Sequence, residues 1–213
     1  INCAIQGAFF STGQRCTASS RLVVGAAIHD RFVAGLIERM KTLRIGHALG
    51  DGIDIGPVID ARQLDKNLGY IRVGVDEGAT LACGGEVLSR DTPGHFMTPA
   101  LFVGTDSVMR INREEIFGPV AAVIRATDAN EALQLANDTR FGLCAGVCTT
   151  SHRHAEHFRR ELQAGLVMVN LPTAGLDYHL PFGGRKRSSH GPREQGSAAR
   201  EFYTVGKTAY VGI

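Results

Sequence analysis

One cysteine in this sequence stands where a thiol could act as a nucleophile. Cys16 follows Gly13 and Arg15 in a short polar segment. The thiolate is the attacking form, so a nucleophilic cysteine needs nearby positive charge or hydrogen-bond donors. Arg15 and the surrounding backbone N–H groups can supply them, although a buried core position is the commoner role for a cysteine. We predict core positions for the other four cysteines: Cys3, Cys83, Cys144 and Cys148.

The cysteines and histidines do not form a disulfide or metal framework. The five cysteines are odd in number and irregularly spaced, and no Cys-x-x-Cys pair is present. His152, His154 and His157 lie close together without a carboxylate or thiolate at a ligand spacing, so we interpret them as a helix surface. Cys144 and Cys148, four apart in one predicted strand, should point to the same face. We predict no metal site and reduced thiols, which are typical of the cytoplasm.

Hydrophobic periodicity predicts the elements that must position these side chains. The predicted helices cover residues 29–43, 61–75, 129–137 and 153–163, and the predicted strands cover residues 21–24, 79–83, 100–103, 120–124, 143–149, 166–169 and 204–213. Asp128 with Glu131 has the pattern of a capping box, and Ser151 is placed to cap the next helix. The alternation of strand and helix from residue 120 to 169 predicts parallel strands with right-handed crossovers, and therefore an α/β sheet.

Composition argues against several classes of function. Apolar residues make up 44% of the chain, and charged residues make up 21% and nearly balance at a net charge of +2. A nucleic-acid binder concentrates Lys and Arg on one face, whereas the most basic run here, residues 185–187, lies in a Gly/Ser-rich stretch typical of a solvated loop. No apolar run approaches the roughly 20 residues of a membrane span, and no signal-peptide pattern is present. We expect a cytoplasmic protein without nucleic-acid or membrane partners.

Four segments, taken in order, resemble the aldehyde dehydrogenase superfamily. They are residues 13–18 (GQRCTA), 55–60 (IGPVID), 114–120 (EEIFGPV) and 181–186 (PFGGRK), the last followed by Ser188, Gly191, Arg193, Glu194 and Gly196. The resemblance covers essentially the whole chain, with Ser189 standing where many members have Gly. It implies the parallel-sheet α/β catalytic domain of that family.

The resemblance implies a chemical role for each segment. Cys16 would attack an aldehyde carbonyl, a hydride would leave to NAD or NADP, and water would cleave the resulting thioester. Glu115 matches the acid that holds the nicotinamide ribose hydroxyls, and Phe117 matches the residue beside the nicotinamide. Gln63 and Lys66, which share a helix face, match a helix start that approaches the cofactor ribose. An ordinary exposed helix face is the alternative interpretation of this pair.

The substrate is indicated by a narrower resemblance. Arg15 and the segment 170–179 (NLPTAGLDYH) resemble the branch that oxidises 2-oxoglutarate semialdehyde, also called 2,5-dioxopentanoate. An acidic semialdehyde would benefit from Arg15 as a carboxylate clamp. The alternative is that Arg15 packs against the protein or points away from the substrate.

The resemblance also implies a domain organisation. Residues 1–198 match the thiol-bearing catalytic domain, and residues 199–213 match a C-terminal strand that pairs with a neighbouring subunit, so we expect a homo-oligomer. The NAD(P)-binding domain, the general-base Glu and the oxyanion-assisting Asn of the family precede the thiol motif, and no residue here matches them. We therefore expect a catalytic-domain fragment that is inactive alone.

Two other classes of function remain open at this point. A thiol hydrolase or acyltransferase would need a base near Cys16, and His179 is the histidine that lies in a motif-rich loop. A non-catalytic assembly module would use the fold and the terminal strand for oligomerisation and would have no need of Cys16.

Overall fold

The computed structural model describes all 213 residues. The strands are β1 Arg21–Gly25, β2 Thr80–Cys83, β3 Val87–Leu88, β4 Phe96–Met97, β5 Ala100–Thr105, β6 Val120–Ala126, β7 Cys144–Val147 and β8 Leu166–Val169. The helices are α1 Asn2–Ala8, α2 His29–Lys41, α3 Ala61–Asp76, α4 Arg110–Arg113, α5 Ala129–Asn137, α6 His152–Glu161 and α7 Ala199–Tyr203. Short 3-10 turns cover Phe10–Gly13, Lys186–Ser188 and Gly196–Ala198.

The core lies on both faces of a four-stranded sheet in the order β1-β6-β5-β2. Strands β1, β6 and β5 are parallel, and β2 runs antiparallel at the edge. Alternate residues of β6 face opposite sides: Val123 joins the cluster formed with α1 and α2, whereas Val120 joins the cluster formed with α3. A central parallel strand is buried on both faces, which explains why the sequence of β6 is a nearly continuous apolar run.

The predicted helices that frame the site are confirmed, with bounds that differ by at most two residues and agree fully for α5. Their capping residues explain where they begin. The Asp60 side chain accepts a hydrogen bond from the backbone N–H of Gln63 at the start of α3. Asp128 does the same for α5, and Ser151 accepts from the N–H of His154 in α6.

The strand pairing differs from the single continuous sheet that the alternating pattern predicted. Strands β7 and β8 are parallel, as expected, but they form a separate two-stranded sheet. Cys148 also lies just beyond β7, so the prediction that it shares a strand with Cys144 was wrong. Periodicity reports which face of a strand is buried, but it carries no information about the neighbouring strand.

The predicted terminal strand is absent from the single chain. Residues 204–213 follow α7 as an extended segment without strand pairing. Val205, Tyr210 and Val211 are each more than four-fifths exposed. A strand requires a hydrogen-bonding neighbour, and this segment pairs with no strand of the chain. No helix of the structure combines the length and the apolar character needed to cross a membrane.

Candidate active site

The segment before Cys16 has an uncommon backbone conformation. Ser11, Thr12 and Gly13 are all left-handed, with φ of 53°, 59° and 64°. A left-handed β-branched residue such as Thr12 costs on the order of 1–3 kcal/mol and persists only where its surroundings hold it. Here the Thr12 hydroxyl lies 3.2 Å from the carbonyl oxygen of Gly56, to which it donates. The turn is therefore anchored to the Ile-Gly-Pro segment that resembled the family.

Further contacts fix the chain on both sides of the thiol. The Gln14 side-chain oxygen accepts from the N–H of Ile59 at 3.1 Å, and the N–H of Ser19 donates to the carbonyl of Gly7 at 3.0 Å. Thr17 is buried, whereas Cys16 is exposed. The loop thus holds its backbone against the protein and presents the Cys16 side chain outward. The N–H of Cys16 itself makes no hydrogen bond within the chain.

The two adjacent carboxylates have different environments. Glu114 accepts a hydrogen bond from the Tyr70 hydroxyl at 2.7 Å and forms a two-point ion pair with Arg110. The Arg110 guanidinium, with help from Tyr70, lowers the pKa of Glu114. Glu115 has an exposed side chain that makes no hydrogen bond and no ion pair within the chain. Glu115 is therefore the carboxylate of the pair that can accept hydrogen bonds from a ligand.

The backbone of the Glu115 loop is held by α3. The Gln63 side-chain nitrogen donates to the carbonyl oxygens of Ile116 and Phe117, both at 3.0 Å, and the Lys66 ammonium donates to the Glu115 carbonyl at 2.9 Å. These bonds stabilise Phe117 in a left-handed conformation, with φ of 59°. The two α3 residues were predicted to bind the cofactor, and the structure places their side-chain nitrogens on the backbone of the loop.

A close approach of two glycines joins the thiol loop to the Glu115 loop. A Cβ atom on Gly13 would lie 2.3 Å from the carbonyl oxygen of Gly118, and a Cβ atom on Gly118 would lie 2.2 Å from the side-chain oxygen of Asn67. Asn67 is fully buried, so it has little room to move. No side chain larger than hydrogen fits at either glycine. The thiol loop and the Glu115 loop therefore pack directly against each other at Gly13 and Gly118.

Cys16, Glu115, Phe117 and Arg15 line one cleft of about 880 Å³. Gln63 and Lys66 are not among its lining residues, which agrees with their place behind the loop. The cleft therefore brings together a thiol, a carboxylate and an aromatic ring from two loops that are distant in sequence. No group of three or more His, Cys, Asp and Glu side chains is arranged to hold a metal ion.

Arg15 is anchored at the end of α1. One terminal nitrogen of its guanidinium donates to the carbonyl of Gln6 at 2.6 Å and lies 3.5 Å from that of Gly7. Burial lowers the pKa of Arg15, and the neighbouring Cys144 thiol opposes this shift. A cation is stabilised at the carbonyl end of a helix, so the Arg15 side chain holds the thiol loop against α1. Arg15 still lines the cleft, where its charge acts on the Cys144 thiol.

Cys144 is a site neighbour that sequence reasoning assigned to the core. Its sulfur lies 3.4 Å from the carbonyl oxygen of Thr17, to which the thiol donates. Burial and the nearby Cys16 raise the pKa of Cys144 to about 12. The apolar pattern of its strand predicts that Cys144 is buried. Its proximity to Cys16 is seen only in the contact with Thr17, which is distant in sequence.

His179 does not meet the requirement of the thiol-hydrolase alternative. It lies exposed in the long loop after β8, beside Tyr178, and it is not among the residues that line the Cys16 cleft. A general base has to be within hydrogen-bond reach of its nucleophile, directly or through one water. No hydrogen bond joins His179 to Cys16 or to the thiol loop.

The fold and the site define an α/β domain with an exposed thiol on a loop beside a cleft. The chain belongs to the aldehyde dehydrogenase family, whose model matches residues 1–209. It is 45% identical over 209 residues to the alpha-ketoglutaric semialdehyde dehydrogenase of Bacillus subtilis, covering 97% of this chain and 43% of that protein. It is 41% identical over 210 residues to the 2,5-dioxopentanoate dehydrogenase of Saccharolobus solfataricus, covering 98% of this chain and 43% of that protein.

A solved structure confirms the α/β fold class. The betaine aldehyde dehydrogenase of Staphylococcus aureus in complex with NAD+ superimposes with a TM-score of 0.92 at 36% identity, covering 96% of this chain and 41% of that chain. The predicted family resemblance is confirmed as well. The chain spans less than half the length of these relatives.

Proposed function

We propose that this chain is the thiol-bearing part of an NAD(P)-dependent aldehyde dehydrogenase, in which Cys16 attacks the aldehyde. The observation that supports this most strongly is the shared cleft: the exposed Cys16 thiol and the unpaired Glu115 carboxylate line the same cavity. The loops that carry them are fixed to each other through Gly13 and Gly118. Because the chain belongs to the aldehyde dehydrogenase family, we propose that Cys16 and Glu115 take part in aldehyde oxidation.

The thiol loop has the features that the first step requires. The Cys16 thiolate adds to the carbonyl carbon, a C–S bond forms, and the carbonyl oxygen takes up the negative charge as a thiohemiacetal. The free N–H of Cys16 can donate to that oxygen. Preorganised donors stabilise such charge more than water does, because they need no reorientation. Collapse of the oxyanion with loss of hydride leaves a thioester on Cys16, which water then cleaves.

The residues around Glu115 fit the nicotinamide riboside part of a dinucleotide. Glu115 offers a carboxylate free of internal partners, which can accept hydrogen bonds from two adjacent hydroxyls. Phe117 offers a half-buried aromatic surface in the same cleft. When bound, the dinucleotide supplies the hydride acceptor. In this arrangement Gln63 and Lys66 support the loop through its backbone carbonyls, in addition to any contact with the ribose.

The proposed substrate is 2-oxoglutarate semialdehyde, with Arg15 as the residue that attracts its carboxylate. Two relatives named for this substrate support the assignment, at 45% and 41% identity. Arg15 lines the cleft beside Cys16, although its guanidinium is also bonded to the α1 carbonyls. A substrate with one negative charge gains from a guanidinium that a neutral aldehyde does not use.

Aldehyde addition can be measured without cofactor, because a thiohemiacetal protects Cys16 from alkylation. We expect 2-oxoglutarate semialdehyde to slow iodoacetamide labelling of the 16–21 tryptic peptide, and at lower concentration than an uncharged aldehyde of similar size. Arg15→Lys should keep the loop anchored and reduce this preference, whereas Lys66→Met should leave it unchanged. Equal protection by charged and uncharged aldehydes would contradict the substrate assignment, and absence of protection by any aldehyde would contradict the role of Cys16.

The proposal includes two statements about the chain by itself. We expect the pure 213-residue chain to produce no NAD(P)H from an aldehyde, because no residue in it matches the general-base Glu of the family. Measurable NAD(P)H production would contradict this. We also expect residues 204–213, with their exposed Val205, Tyr210 and Val211, to pair with a neighbouring subunit. Sedimentation of the intact chain and of a chain that ends at residue 203 tests this, and a monomer at high concentration in both cases would contradict it.

A further inference from the structure

A second thiol lies against the loop that carries Cys16. The Cys144 sulfur donates to the carbonyl oxygen of Thr17 at 3.4 Å. Thr17 follows Cys16 directly, with a Cα separation of about 3.8 Å. Both cysteines line the same cleft, and no other protein group separates the Cys144 thiol from the Thr17 backbone. The Cys144 thiol therefore contacts the residue next to Cys16, and a disulfide between the two would need their Cα atoms about 4.4–6.8 Å apart.

The two thiols differ in a way that sets the order in which they react. Cys16 is exposed, so a dissolved oxidant reaches it. Cys144 is half-buried, and burial together with Cys16 raises its pKa to about 12. Compared with a free thiol of pKa about 8.5, this lowers the thiolate fraction at pH 7 by roughly three orders of magnitude. Cys144 therefore neither competes for aldehyde nor reacts first with an oxidant.

We propose that Cys144 is a resolving thiol that forms a reversible disulfide with Cys16 after oxidation by a peroxide. The inference rests on the reactive-thiol role proposed above for Cys16. In the first step the Cys16 thiolate takes one oxygen from hydrogen peroxide, giving a sulfenic acid and, after protonation, water. In the second step the Cys144 sulfur displaces the sulfenic oxygen, which leaves as water with the Cys144 proton. Two thiols are oxidised, and one peroxide is reduced to two waters.

One neighbour of Cys144, the Arg15 guanidinium, assists the second step. The Arg15 guanidinium stabilises negative charge on Cys144, as its opposing effect on the pKa of that thiol shows. This effect of Arg15 offsets part of the cost of forming the Cys144 thiolate, which burial otherwise makes rare. A disulfide here would stop aldehyde oxidation, and it would also keep Cys16 from further oxidation to the sulfinic acid, which is not readily reversed.

The test uses the full chain with Cys148→Ser, so that Cys144 is the single cysteine of its tryptic peptide. Trypsin places Cys3, Cys16 and Cys144 on separate peptides, which cover residues 1–15, 16–21 and 141–153. After brief treatment with hydrogen peroxide and quenching with iodoacetamide, we expect a disulfide between the 16–21 and 141–153 peptides that dithiothreitol removes. With Cys144→Ala added, Cys16 should instead accumulate as a dimedone-reactive sulfenic acid and then as a sulfinic acid. Cys83→Ser, which alters a thiol packed against Met40, should leave the disulfide unchanged.

Several results would overturn the inference. One is a Cys148→Ser chain in which Cys16 reaches the sulfinic acid without forming the linked peptide. Another is a linked peptide that joins Cys16 to Cys3 rather than to Cys144. Aldehyde protection of Cys16 is measured separately on reduced protein. A chain that binds aldehyde and forms no disulfide would refute only this inference, whereas a chain that forms the disulfide and binds no aldehyde would refute only the proposed function.

Discussion

The support of the Glu115 loop by Gln63 leads to a quantitative prediction. Gln63→Met keeps the length and helix propensity of the side chain but removes an amide nitrogen whose two N–H groups are shared among three acceptors, the carbonyls of Ile116 and Phe117 and the side-chain oxygen of Asn67. Each such bond contributes about 0.5–1.5 kcal/mol net. Asn67 is fully buried, and its oxygen has no other partner, so a desolvation cost is added. We expect the free energy of unfolding to fall by about 2–4 kcal/mol.

Urea denaturation followed by circular dichroism measures this change, and the thermal midpoint should fall by roughly 5–15 °C for a domain of this size. Lys66→Met is the matched control, because Lys66 contacts the same loop through one exposed hydrogen bond worth less than about 1 kcal/mol. Iodoacetamide labelling of Cys16 reports on the neighbouring loop in both variants. A loss below about 0.5 kcal/mol for Gln63→Met, or an equal loss for the two variants, would refute the view that Gln63 supports the loop.

Two further predictions follow from the same contacts. Gly118→Ala places a Cβ atom 2.2 Å from the buried Asn67 oxygen, so we expect the free energy of unfolding to fall by about 1–3 kcal/mol and the labelling of Cys16 to change. The control is Gly25→Ala, whose Cβ meets nothing within 4 Å. Equal stability of the two variants would contradict the close approach. The second prediction concerns pH. The pKa of the Cys144 thiol is about 12 in the folded chain and about 8.5 in the unfolded chain. Below about pH 8.5 both states keep the thiol proton, and between about pH 8.5 and 12 only the unfolded state releases it. The Cys144 contribution to stability should therefore decrease by about 1.4 kcal/mol per pH unit between pH 8.5 and 12, which is about 2 kcal/mol by pH 10. This slope is measured as the difference in unfolding free energy between the unmodified chain and Cys144→Ala across that pH range. Parallel pH profiles for the two chains would contradict it.

The sequence predicted local features of the fold better than long-range ones. Capping by Asp128 and Ser151 depends on residues within one helical turn, and both caps were found. The pairing of β7 with β8 alone, and the absence of strand structure in residues 204–213, depend on which edges meet in space. Apolar patterning is the same whether or not a strand finds a neighbour, so it could not indicate that β7 and β8 form a sheet of their own. The pairing of residues 204–213 with a neighbouring subunit stays a prediction.

The candidate site shows a similar division. Motif resemblance selected Cys16, Glu115 and Phe117, which the structure places in one cleft. It did not indicate that Gln63 would contact the loop backbone, because spacing on a helix gives the face but not what that face touches. Cys144 was interpreted as a core residue for the same reason. Its burial was readable from the strand pattern, whereas its contact with Thr17 joins segments more than a hundred residues apart.

The left-handed residues explain why the site depends on so many backbone contacts. Thr12 and Phe117 hold unfavourable conformations on the two loops that meet at Gly13 and Gly118. Such conformations cost on the order of 1–3 kcal/mol each, so the loops would relax without their hydrogen bonds to Gly56 and Gln63. Relaxation of either loop would change the position of Cys16 relative to Glu115, since the glycine contact transmits the movement. The geometry of the cleft is therefore a property of the two loops together, and a variant that frees one loop should alter the reactivity of the residue on the other.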